Sequence, residues 1–68
     1  MKAVSGKQFM KLLLKCGWSC VRVNGSHHIF VKEGQQERIS VPVHGNENLK
    51  LGLLKHLMKV AGIREEEL

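Results

Sequence analysis

Residues 21–30 read Val-Arg-Val-Asn-Gly-Ser-His-His-Ile-Phe, and this run decides the fold. Apolar and polar residues alternate on both sides of Asn24-Gly25, as in two strands joined by a tight hairpin. Asn-Gly is the strongest short-range hairpin signal, because a type I′ turn needs positive φ at both central positions. With the loop at Asn24-Gly25, Val23 is expected opposite Ser26, Arg22 opposite His27 and Val21 opposite His28. Opposed residues share a face of the sheet, so a permanent cation is expected beside His27. His28, one residue on, points to the other face, near Val21 and Phe30.

Outward from the hairpin, Trp18 to Asn24 reads as the first strand and Ser26 to Lys32 as the second. Ahead of them, Ser5-Gly6-Lys7-Gln8 has the spacing of a capping box. Phe9, Leu12, Leu13 and Cys16 then recur at helical spacing, with Lys7, Lys11 and Lys15 on other faces. Gly17 is placed to end that helix. On the C-terminal side, Glu33-Gly34-Gln35-Gln36 is a polar turn, and Glu37 to Val43 a third strand with Ile39, Val41 and Val43 on one face. Pro42 has no N–H for a ladder, which makes this an edge strand or ends it there. After the loop His44-Gly45-Asn46-Glu47-Asn48, a second helix starts between Asn48 and Leu53. It carries Leu53, Leu54, Leu57 and Ala61, and Gly62 closes it. Ile63 to Leu68 leaves room for one further turn.

The order α-β-β-β-α, with strands joined by hairpins, predicts an α+β fold: a three-stranded antiparallel sheet with both helices on one face. That leaves the other face of the sheet free for a ligand, the layout of the double-stranded-RNA-binding-domain fold. No linker, repeat or low-complexity stretch divides the chain, so residues 1–68 are read as one domain.

A chain of 68 residues buries only about 60% of its unfolded surface, too little to enclose a deep small-molecule site. A shallow surface site, or one completed by a partner, fits better. Eleven Lys and Arg against six acidic residues give +5, a balance suited to a polyanion or an acidic protein. Glu65-Glu66-Glu67 lie together at the end and leave the rest of the chain more basic still. Cys16 and Cys20 are spaced C-x₃-C, not the C-x₂-C hook of a zinc site, and His27, His28, His44 and His56 fit no metal spacing. No metal or other cofactor is expected. No apolar run approaches the roughly 20 residues of a membrane span, so no membrane is expected as a partner. Unpaired cysteines and no signal-peptide pattern point to a reducing cytoplasm.

The chain resembles the HicA toxins of bacterial and archaeal toxin–antitoxin pairs over nearly its whole length. The resemblance is carried by Leu13 to Gly17-Trp18, by Val21 to Phe30 through the hairpin, and by Val41-Pro42-Val43-His44. It continues through Leu49-Lys50-Leu51-Gly52-Leu53-Leu54, Leu57 and Val60-Ala61-Gly62-Ile63. It implies a ribonuclease that cleaves mRNA without the ribosome and is silenced by a HicB-type antitoxin. It also places the catalytic histidine of the Gly-Ser-His motif at His27. Where relatives commonly have Gly-Thr, this chain has Gly52-Leu53, which removes a hydroxyl that could cap the helix or contact a phosphate.

The chemistry suits the residues present. RNA carries its own nucleophile, the 2′-hydroxyl, so cleavage needs a base for that proton and help for the leaving 5′-oxygen. His27 is the candidate general base and His28 the weaker candidate for the acid. Gly25 shapes the turn, Ser26 can bond a phosphate or cap the strand end, and Arg22 and Lys32 are candidate RNA contacts that position without reading sequence. His44 is a third imidazole that folding could bring toward the site, although a surface role is the plainer reading. His56 is expected to be exposed on its helix, and Trp18 and Phe30 to pack in the core rather than stack on bases. The competing reading is a non-catalytic RNA-binding module using the same basic surface. A third is a pure protein-interaction subunit matched to an acidic partner. The histidines favour the nuclease, because Lys and Arg serve phosphate binding better.

Overall fold

A computed structural model describes residues 2–68 and gives α1 (Gly6–Lys15), β1 (Ser19–Asn24), β2 (His27–Val31), β3 (Ile39–Pro42) and α2 (Leu51–Ala61). A single 3₁₀ turn, Glu65–Glu67, follows. The strands form one antiparallel sheet in the order β1-β2-β3, with β2 in the middle. The order is the expected α-β-β-β-α. β3 is shorter than the expected 37–43 because it pairs only along His27–Phe30 of β2, and Glu37 and Arg38 are left exposed before it.

Both helix boundaries follow from local chemistry. Ser5 Oγ accepts from the Gln8 backbone N–H at 3.2 Å and Gln8 Oε1 accepts from the Ser5 N–H at 3.0 Å, closing the capping box. At its other end α1 stops at Gly17, whose φ of 93° is a left-handed conformation that side chains disfavour. The Trp18 N–H then donates to the Leu13 carbonyl at 2.9 Å. α2 ends the same way: Gly62 has φ 70°, and the Ile63 N–H donates to the Met58 carbonyl at 3.0 Å. In each case the turn that satisfies the last carbonyls drops the next side chain, Trp18 or Ile63, into the core.

That core is one cluster. Phe9 and Leu13 of α1 meet Leu54, Leu57 and Met58 of α2 over Phe30, Ile39 and Val41 of the sheet. Phe30 pairs with Ile39 and His28 with Val41, so these four share the face that both helices cover. Trp18 is 2% exposed, and its Nε1–H has no hydrogen-bond partner among the described residues. An unpaired buried donor costs about 1–3 kcal/mol. Burying roughly 200 Å² of indole returns about 5 kcal/mol, so the ring stays inside. β1 contributes no buried side chain, and Val21 and Val23 are more than half exposed. Both helices lie against β3, which leaves β1 as the uncovered margin of the sheet.

α1 also begins in contact with the sheet. A Cβ on Gly6 would overlap the Pro42 carbonyl oxygen and press on Val43. In an open helix position Gly→Ala raises stability by up to about 1 kcal/mol. Here the added methyl should instead destabilise by about 1–2 kcal/mol, because the obstruction is backbone and cannot swing away. Urea denaturation of Gly6→Ala checks the sign, and a midpoint above that of the parent protein would refute this packing.

Candidate active site

The hairpin differs from the expected register by two residues. Its loop is Gly25-Ser26, flanked by the pair Asn24 and His27, and Arg22 stands across from Ile29 rather than His27. Val23, not Val21, faces His28. Of the two loop residues only Gly25 has positive φ, at 62°, which is the type II′ pattern with glycine first rather than the expected type I′. Val21 is the extra residue of a bulge, since Cys20 pairs with Phe30 while Arg22 pairs with Ile29. A type II′ turn needs only one glycine, so Asn24 is released to extend β1.

Because the shift is by two, the faces are preserved. His27 and Arg22 still share the helix-free face, now as diagonal neighbours about 7–8 Å apart at Cα rather than a direct pair. His27 is exposed at the first position of β2, with Asn24 of β1 on one side and Pro42 of β3 on the other. Ser40, diagonal to it on β3, brings its Oγ to 3.3 Å from His27 Nδ1. Sequence reading missed Ser40. The only signal for it was strand alternation, which places Ser40 opposite in face to Ile39 and Val41, and that cannot tell which residue of β2 it meets. His28 is half-buried on the helix face between Val23 and Val41, so the two rings lie on opposite sides of the sheet and do not converge.

The remaining candidates are spread more widely. The Ser26 carbonyl accepts from the Val43 N–H at 2.8 Å, tying the turn to the end of β3 beside His27. Lys32 lies past the other end of β2, about 16 Å from His27 at ordinary strand rise, with its Cε over Gly17. It is not brought to the histidine. His44 is exposed just beyond β3 and lines a pocket with Pro42, while His56 is exposed on α2. Among the described residues no group of three His, Cys, Asp or Glu side chains is placed to hold a metal. No helix among them is long and apolar enough to cross a membrane.

The sequence model of the HicA toxin of bacterial toxin–antitoxin matches residues 6–63. No curated protein matches the chain. The match takes in every element from α1 through α2, and the chain belongs to the HicA toxin family. Membership makes it the toxin half of a toxin–antitoxin pair and implies a cognate antitoxin.

The two histidines differ in burial, so they should differ in what their loss does to the fold. His27→Ala is expected to change stability by no more than about 0.5 kcal/mol, and His28→Ala to cost about 1 kcal/mol, as a half-buried side chain leaves a gap beside Val41. Thermal melts of the two variants read this directly. A larger loss from His27→Ala would mean that its ring packs against the body of the protein.

Proposed function

We propose that this toxin is an endoribonuclease that cleaves mRNA without a metal, using His27 as general base, and that a HicB-type antitoxin holds it silent. The observation that carries the reading is the exposed His27 ring on the helix-free face, with Nδ1 in reach of the Ser40 hydroxyl at 3.3 Å. When Nδ1–H donates to Ser40 Oγ, the lone pair is on Nε2. Nε2 then takes the proton of an RNA 2′-hydroxyl. The 2′-oxygen attacks the adjacent phosphorus, the P–O5′ bond breaks, and O5′ leaves with a proton from solvent. The products are a 2′,3′-cyclic phosphate and a 5′-hydroxyl.

Arg22 is a permanent cation on the same face, and in this reading it offsets charge on the non-bridging phosphate oxygens. Gly25 and Ser26 hold the turn that sets where His27 begins β2. Lys32 contacts RNA only where the strand runs the length of the sheet, as a phosphate contact remote from the cut. His28 faces the other side of the sheet, so in this reading the proton for O5′ comes from solvent rather than from His28. The net charge of +5 suits both RNA and an antitoxin that presents acidic groups.

His27→Ala should lower RNA cleavage by about 10²–10⁴-fold, the contribution of a positioned general base, and abolish toxicity while antitoxin binding persists. Ser40→Ala should reduce cleavage less than this, and should change the Nδ1/Nε2 tautomer balance of His27 seen by ¹⁵N NMR. Cleavage by the wild type should continue in excess EDTA. RNA binding without any cleavage, unchanged in the His27 variant, would replace the nuclease by the non-catalytic RNA-binding module.

A further inference from the structure

A protein that holds single-stranded RNA usually stacks bases on aromatic rings. Here Phe9, Trp18 and Phe30 are all in the core, none more than 2% exposed, and the chain has no Tyr. The aromatic rings left on the surface are imidazoles. One of them, His44, lines a cavity of about 300 Å³ between the end of β3 and the start of α2. That volume is at the small end of the range for small-molecule sites, room for one nucleotide and not for a duplex.

The cavity lies one strand over from His27, which does not itself line it. Pro42 forms part of its wall, and Pro42 is the cross-strand partner of His27 on β3. Leu53 supplies a second apolar surface, while Glu47, Asn48 and Lys50 supply a carboxylate, an amide and a cation. The backbone that carries these groups is pinned. Asn48 bridges to Ser5, the Leu49 N–H donates to the Val4 carbonyl at 2.8 Å, and the Glu47 N–H donates to the His44 carbonyl at 3.0 Å. Glu47 is the informative member. A carboxylate repels phosphate, so it has no place in a site that only grips the RNA backbone, but it accepts hydrogen bonds from base amino and imino groups.

We infer that this pocket receives the base of a single-stranded nucleotide adjoining the phosphate at His27. His44 stacks on the base, Glu47 and Asn48 read its edge, and Lys50 meets a neighbouring phosphate. The inference rests on the reading of His27 as the cleavage site, and it makes the pocket the part of the protein that selects where RNA is cut.

A short random-sequence 2′-O-methyl RNA lacks the attacking hydroxyl and reports binding apart from chemistry. Titrated into the wild-type protein, it should move the amide NMR signals of residues 44–50 together with that of His27. His44→Ala should weaken this binding about tenfold, as loss of one stacked base does. Glu47→Gln should change the base preferred at one position next to the cut when products from a random RNA pool are sequenced. Signals at 44–50 that stay still while that of His27 moves, unweakened binding by His44→Ala, or an unchanged base preference in Glu47→Gln would each overturn the inference. If wild-type protein cuts no RNA but residues 44–50 respond and His44→Ala weakens binding, the nuclease reading falls and the base pocket stands.

Discussion

Phe30 lies in the central strand and is 1% exposed, in one cluster with Phe9 and Leu13 from α1 and Leu54 and Leu57 from α2. Strand alternation has a period of two, so an inward Phe30 obliges His28 to face the helices and His27 and Ile29 to face away. A slip of one residue would bury His27 and expose Phe30. That exchange loses about 1.5–3 kcal/mol of apolar burial at Phe30 alone, before the cost of placing imidazole in the core. The position of the candidate base is therefore set by a phenylalanine three residues away, and β2 is clamped by neighbours on both sides, which keeps the register from drifting.

The same shortage of core material shapes the binding surface. A chain of this length has few large side chains, and the protein commits every Phe and Trp to the interior. The two helix ends serve that end directly, since the glycine turns after α1 and α2 deliver Trp18 and Ile63 inward as they satisfy the last carbonyls. What is left for a ligand is the polar face of the sheet and the short loop after β3. On the proposed function, recognition of RNA works through imidazole, guanidinium, amide and carboxylate groups rather than through Phe or Trp rings.

Local signals in the sequence were enough for the element order, the Ser5–Gln8 capping box, the helix ends at Gly17 and Gly62, and the opposite facing of His27 and His28. Each depends on residues within a few positions of one another. The register of the hairpin was not legible in the same way. Asn24-Gly25 and Gly25-Ser26 are both good two-residue loops, and the choice between them came with a bulge at Val21 that no local pattern marks. Contacts set by β3 were beyond reach for the same reason. The nearness of Ser40 to His27, and of His44 to Pro42 and Lys50, depends on how a third strand and a distant loop dock on the hairpin.

An open sheet face also suits a toxin whose family implies a cognate antitoxin. The turn before His27 is tied to the end of β3 by the Ser26–Val43 hydrogen bond. The site is thus preorganised, with its ring already exposed. A preorganised flat site loses access as soon as a partner lies over it, and no conformational change is needed in the toxin. On the proposed function, the +5 charge suits RNA and an acidic antitoxin alike, so the two would compete for one surface. On that reading, control depends on the relative amounts and affinities of antitoxin and RNA, and loss of the antitoxin releases a protein whose site is already formed.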